Sequence, residues 1–170
     1  MFFGLSISLV YFSCNHRNDK DSNKPKVNQQ EELIRINRNF VEKDADKIKG
    51  YLKRRNWEMT ASPTGLWYTI YLKGKGVAAE TGKIASIHYK VWLLDGTLCY
   101  SSDSLGIKKF RIGKGGVEKG LEEGILLLHV GDKARFILPP HLAYGIVGDE
   151  DRIPRRSIIL YEVELVQIAE

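Results

Sequence analysis

Cysteine is scarce in this chain. Two are present, Cys14 and Cys99, far apart and in unlike surroundings. A zinc site needs more ligands at closer spacing, and a disulfide framework needs more pairs. A single Cys14–Cys99 bridge stays open for an exported chain, although Cys14 sits in what reads as a leader. A basic stripe is also missing. Lys and Arg total 26 against 21 Asp and Glu, a net charge of +5 that is spread along the sequence. Nucleic-acid binding wants clustered cations interleaved with stacking aromatics. At most, the excess would draw the chain toward an anionic membrane surface. The glycines Gly113, Gly115 and Gly116 lack the Gly-Lys-Ser/Thr ending of a phosphate loop. No sustained heptad repeat points to a coiled coil. No arrangement of nucleophile and base stands out, and no ligand cluster points to a metal.

What is present divides at composition breaks. Met1 to Ser13 (MFFGLSISLVYFS) is apolar and short, the length of a signal-peptide core rather than of a membrane span. No Lys or Arg precedes Cys14, so the true start is expected upstream of Met1. Cys14 follows the apolar stretch and opens a polar run, which resembles a bacterial lipobox with Tyr11 where an aliphatic residue is usual. Residues 1–14 are therefore expected to be a signal with Cys14 as the lipidated residue. An ordinary cleaved signal or a buried N-terminal segment is the alternative. Residues 15–28 (NHRNDKDSNKPKVN) are almost devoid of apolar side chains and read as a disordered tether, with His16 a solvated residue within it.

Residues 29–57 carry apolar positions at helical spacing: Leu33, Ile36, Phe40 and Val41, then Ile48, Tyr51 and Leu52. Asp44 is placed to cap a second helix, whose last turn would hold Lys53, Arg54 and Arg55. Two short helices packed on the main domain are expected, with a dimerisation arm as the alternative. A helical segment is thus assigned to 29–60, the turn ASPTG marks a boundary, and the main domain spans 62–170. Its strands are read at Leu66–Leu72, Ile84–Leu94, Thr97–Tyr100, Lys108–Ile112, Asp132–Leu138 and Ser157–Ile168. In the second, Ala85, Ile87, Tyr89, Val91 and Leu93 share one face. Ser86, His88 and Lys90 share the other, with Trp92 an apolar exception. His88 is expected on the surface. A helix follows Gly115-Gly116, with Val117, Leu121, Ile125 and Leu128 on one face and Gly120 and Gly124 permitting close approach to a sheet. The sum is an α+β domain, a mostly antiparallel sheet wrapped on one short helix.

The stretch VGDKARFILPPHLAYG, Val130 to Gly145, runs a strand into a Pro-Pro stop and then presents Tyr144. A Gly-flanked loop returns to Ile153-Pro154. This reads as a rigid mount for one aromatic hydroxyl. Tyr89, Phe110, Val117, Leu121 and Tyr161 fall near the seam between sheet and helix, where they would line a shallow aromatic pocket with Tyr144 at its lip.

From about Thr64 to Glu170 the motifs IHYKVWLLDGT, YSS, GKGGVEKGLEEGILLLHVGDKARFILPPHLAYG, IP and LYEVELVQI occur in the order and spacing of one family. The chain resembles the FKBP-type peptidyl-prolyl cis–trans isomerases. With its leader it also looks like the FKBP-type lipoproteins of Bacteroidetes, some of them associated with gliding motility. The resemblance implies an FKBP-like antiparallel half-barrel of five or six strands around the helix near Val117, preceded by N-terminal helices. It implies a proline pocket at the helix–sheet seam. Tyr89, Phe110, Val117, Tyr144, Ile153 and Tyr161 fall on pocket positions, and the Tyr144 hydroxyl and the Ile153 N–H would meet carbonyl oxygens of a bound peptide. Four sites depart from the family pattern. Cys99-Tyr100 replace Phe-Asp, Leu121 replaces an indole, Glu118 replaces a branched apolar residue, and Arg155 replaces a second proline. Tyr100 would donate a hydrogen bond where the family has a carboxylate, and the Glu118 N–H remains a donor. The implied activity is isomerisation of X–Pro bonds, weak but measurable, with no cofactor and with proline-containing polypeptides as partners. The leader adds a role in folding exported proteins in the cell envelope, facing the periplasm and tethered through Cys14. A non-catalytic peptide-binding module or a chaperone dimer joined through residues 29–57 is the alternative.

Overall fold

The computed structural model describes residues 28–170; the leader, the Cys14 anchor and all of the tether but Asn28 lie outside the described residues. The first element is one helix, α1, Gln29–Arg55. The Asn28 side chain accepts from the Gln30 N–H at 3.2 Å. Glu31 and Glu32 occupy the first turn and Lys53, Arg54 and Arg55 the last, so charge complements the helix dipole at both ends. The chain leaves the helix at Asn56, which takes left-handed geometry with φ 52°. The expected break at Asp44 is absent. Asp44 is a mid-helix residue, 4% exposed, and its carboxylate accepts from Arg156 at 3.1 Å. Its carboxylate is thus committed to a residue distant in sequence and caps no helix.

The remaining elements are β1 (Thr60–Ala61), β2 (Trp67–Leu72), β3 (Ile84–Leu93), β4 (Leu98–Ser101), α2 (Ser102–Leu105), β5 (Lys108–Arg111), α3 (Lys119–Ile125), β6 (Lys133–Leu138), a 3₁₀ turn (Pro140–Leu142) and β7 (Ile159–Ala169). The strands pair antiparallel in the order β1-β2-β6-β7-β3-β4, with β5 also on β3. Seven strands replace the five or six implied. The count rises because β1 is a two-residue edge and because β4 and β5 pair with successive halves of β3. Helix α3 is shorter than the expected run from Val117. It has seven residues, with Val117 before it and Leu128 after it.

The sheet has apolar side chains on both faces, and each face has its own partner. On the inner face Ala85, Ile87, Tyr89 and Val91 of β3 meet Ala134, Phe136 and Leu138 of β6 and Ile159, Tyr161, Val163 and Leu165 of β7. Leu121 and Ile125 of α3 close this core. A methyl at Gly124 would come within 2.8 Å of the Phe136 ring, and one at Gly120 within 2.5 Å of Leu138 Cγ, so only glycine lets α3 lie this close to β6. The outer face carries Ile137, Ile158 and Leu160. Ile48, Tyr51 and Leu52 of α1 cover them, with Trp57, Trp67 and Trp92 at the margin. Trp92 departs from the alternation of β3 because the face that otherwise meets water meets a helix here. Each buried aliphatic or aromatic side chain contributes about 1.5–3 kcal/mol, so the C-terminal half of α1 is firmly held. Its N-terminal half is not: Leu33, Ile34, Ile36, Phe40 and Val41 are exposed.

Candidate active site

The β6 strand ends at Leu138 because Pro139 and Pro140 have no N–H to continue a ladder. The chain turns once through Pro140–Leu142 and delivers Tyr144 onto the inner core, half-buried. From Tyr144 the backbone makes a closed loop to β7. Gly148 N–H donates to Tyr144 O, Asp149 N–H to Ile153 O, and Arg156 N–H to Gly145 O. Gly148 has φ 80°, and a side chain there would run into the Ile153 carbonyl at 2.3 Å, so the loop closes only with glycine at that position.

Every residue singled out for the pocket except Glu118 lies in or against one apolar cluster. Tyr89, Cys99, Phe110, Leu121, Ile153 and Tyr161 are buried members, with Tyr100, Val117 and Tyr144 packed on it. The Tyr89 and Tyr161 rings lie 6.3 Å apart. Above them a groove of about 370 Å³ is lined by Lys108, Gly116, Val117, Glu118, Ala143 and Tyr144. Lys108, absent from the sequence-based set, holds its ammonium 4.9 Å from the centre of the Tyr89 ring. Alternation in β5 turns Lys108 to the same face as Phe110, two residues on; its charge, not its register, kept it out of an apolar set.

The polar wiring is where the structure departs most from expectation. Glu118 is 8% exposed. Its Oε1 accepts from the Tyr161 hydroxyl at 2.8 Å and from the Tyr144 hydroxyl, while Oε2 is buried with no hydrogen-bond partner among the described residues. The residue expected to offer only its backbone thus places a carboxylate at the centre of the site. Tyr100 donates to Asp149 Oδ2 at 2.5 Å and Asp151 Oδ2 at 3.2 Å. The carboxylate that the resemblance places at position 100 is therefore supplied from the facing loop. The Ile153 N–H, expected to be open, donates to Asp149 Oδ1 at 2.7 Å. Cys99, which has no disulfide partner among the described residues, lies under the same loop. Its Sγ lies 3.5 Å from Arg152 O, and its carbonyl accepts from the Arg152 guanidinium at 2.9 Å.

These pairings fix protonation. Burial, reinforced by the hydrogen bond to Glu118 and its charge, holds the Tyr144 phenol far above the usual range. Burial and the Glu118 charge do the same to Tyr161. Tyr100 is raised by burial and by its bond to Asp149, and Tyr89 by burial and the Glu118 charge. Burial also pushes the Cys99 thiol up, with the Asp149 and Asp95 charges adding to it. For Asp149 burial acts upward, but the bonds from Tyr100 and from the N–H groups of Asp151 and Ile153 outweigh it and hold the carboxyl low. At neutral pH the tyrosines are protonated donors and Cys99 is a thiol. The site presents oriented hydroxyl donors on an apolar core. His88, as expected, is exposed, with Nδ1 3.3 Å from Ser102 Oγ.

Comparison with known proteins agrees with this geometry. Residues 75–166 match the model of the FKBP-type peptidyl-prolyl cis-trans isomerase family. The chain is 41% identical over 93 residues to FK506-binding protein 2 of Dictyostelium discoideum, covering 54% of this chain and 70% of that protein. It is 44% identical over 90 residues to FK506-binding protein 1A of Emericella nidulans, covering 52% of this chain and 83% of that one. The crystal structure of FkpA from Escherichia coli superposes with a TM-score of 0.65 at 31% identity, over 86% of this chain and 75% of that one. Sheet and sequence agree, and the chain belongs to the FKBP-type peptidyl-prolyl cis–trans isomerases.

Proposed function

We propose that this isomerase assists the folding of exported proteins by stabilising the twisted state of X–Pro bonds in the groove above Tyr89 and Tyr161. Unaided, such a bond turns over in tens to hundreds of seconds. The barrier of about 18–20 kcal/mol is amide resonance. Twisting the bond removes that resonance and reduces the charge separation on the carbonyl, so an apolar floor favours the twisted form over the planar one. Each tenfold acceleration takes about 1.4 kcal/mol of such differential binding. Burial of the proline ring and one hydrogen bond from Tyr144 to the substrate carbonyl supply several such factors. No covalent step is required. The observation that carries this reading is Tyr144, a protonated hydroxyl that lines a groove together with Val117 and Ala143 and packs on the apolar core.

The export role rests on the apolar stretch before Cys14. With it go an anchor on Cys14, a position facing the periplasm, and kinship with the lipoproteins of Bacteroidetes. A protease-coupled proline-peptide assay on the whole chain tests the chemistry, and a rate equal to the uncatalysed background ends the catalytic reading. Fractionation of cells expressing the Cys14→Ser variant tests the anchor, which predicts release from the membrane fraction.

One observation favours a second reading, a peptide-holding module of the envelope with weakened catalysis. The Tyr144 hydroxyl and the Ile153 N–H are both held by carboxylates of the same chain, Glu118 and Asp149. Peptide binding in a titration without turnover in the assay selects this reading. The exposed N-terminal half of α1 fits a dimer in either case, and sedimentation of the chain with Leu33, Ile34 and Ile36 replaced by polar residues, which leaves the covering half of α1 in place, tests that.

A further inference from the structure

Glu118 is poorly explained by fold stability. A buried carboxylate oxygen without a partner is costly, more so than a neutral group. Oε2 is such an atom, in a side chain more than nine-tenths buried, and Glu118 lines the groove. Among the described residues it forms no ion pair. The groove's cation, Lys108, sits over Tyr89 instead.

The hydrogen-bond count sharpens the problem. A phenol has one proton to donate. Tyr144 now gives its proton to Glu118. When a substrate carbonyl takes that donor, Oε1 keeps only the Tyr161 bond and Oε2 still has none. The carboxylate is then buried with a single donor. A substrate that brings its own donor restores the balance; one that does not leaves a charge undercompensated. The carbonyl in question belongs to the residue before proline. Its side chain leaves the backbone next to the carbonyl that Tyr144 would hold, and Tyr144 is the residue that now bonds Glu118. Asp149 and Asp151, held on Tyr100 across the site, add negative charge of the same sign.

We infer that Glu118 is a specificity-determining residue, and that the site selects X–Pro bonds in which X is lysine or arginine. The ammonium or guanidinium exchanges onto the carboxylate as Tyr144 turns to the carbonyl. Apolar X leaves that carboxylate short of donors, and acidic X adds repulsion. This inference rests on the proposed placement of the carbonyl at Tyr144.

The test is a peptide series, X-Pro-Phe with X as Lys, Arg, Leu, Phe or Glu, assayed with a protease that cuts after the residue following proline and so does not read X. The expected kcat/KM for Lys and Arg is at least tenfold above Leu and Phe, with Glu lowest, and the ratio falls as salt is raised. In Glu118→Leu the Lys-to-Leu ratio falls to within twofold of unity. Glu118→Gln, which keeps an acceptor of the same shape without the charge, gives an intermediate ratio. A parent ratio within twofold of unity, or one that Glu118→Leu leaves in place, overturns the inference. If no peptide turns over above background, the catalytic reading fails by itself. The Lys-to-Leu ratio of dissociation constants from titration of the same peptides then decides this inference on the same criteria.

Discussion

Replacing Tyr161 by Phe deletes one hydroxyl from the middle of the protein, and the surroundings of that hydroxyl set the cost. Tyr161 is fully buried and donates to Glu118 Oε1 at 2.8 Å. A hydrogen bond to a charged acceptor contributes about 1.5–3 kcal/mol. Little relaxation is available, because Oε2 already lacks a partner and Oε1 would retain only Tyr144. The expected loss is therefore in that range, a fall in melting temperature of roughly 5–10 °C for a folded unit of this size. The coupling is the sharper part. Glu118→Leu alone removes the buried charge but strands the Tyr161 hydroxyl in the core. Combined with Tyr161→Phe, both sides of the bond become apolar. Replacing a buried charged network by apolar groups is often neutral, or stabilising by about 1–4 kcal/mol. The double variant is thus expected to be more stable than Tyr161→Phe alone, with stability measured by denaturant unfolding. A Tyr161→Phe variant within about 0.5 kcal/mol of the parent, the scale of an ordinary surface change, refutes this account. So does strict additivity of the two substitutions.

Arg156→Ala leaves the Asp44 carboxylate buried without its partner and removes the guanidinium 3.8 Å from the centre of the Phe40 ring. A loss of about 2–4 kcal/mol is expected, below the full cost of an orphaned buried charge because Arg156 is partly exposed. Hydrogen exchange should accelerate in α1 before β7, and Asp44→Ala in the same chain should recover part of the loss. At alkaline pH, Tyr100, Tyr144 and Tyr161 stay protonated in the fold beyond the ordinary phenol value of 10.0, while the unfolded chain ionises there. Their contribution is fully present below pH 10 and is lost as pH rises above it. Phenolate absorbance should show these three of the eight tyrosines titrating only as the protein unfolds.

The strands and the pocket floor were legible in the sequence because they obey local rules. Period-two alternation placed Tyr89 and Tyr161 inward, and a Pro-Pro stop placed Tyr144 at the lip. Features set by distant partners were not legible. Asp44 looks like a cap until Arg156 arrives from the far side of the domain. Trp92 looks like an exception until α1 covers it. The departures at Tyr100 and Glu118 were visible as residue types, but the donors and acceptors that meet them come from other elements. Alternation and spacing carry no information about which hydroxyl finds which carboxylate.

The sheet that carries the site has two apolar faces, and this limits how the domain can be handled. Leu160 and Tyr161 are neighbours in β7, one under α1 and the other under the groove. A catalytic cassette cut at residue 62 would bare Ile137, Ile158 and Leu160 to water, a patch suited to self-association. Grafts and minimal expression fragments of this enzyme therefore need to carry α1 with them, because the helix is the back wall of the isomerase rather than its handle.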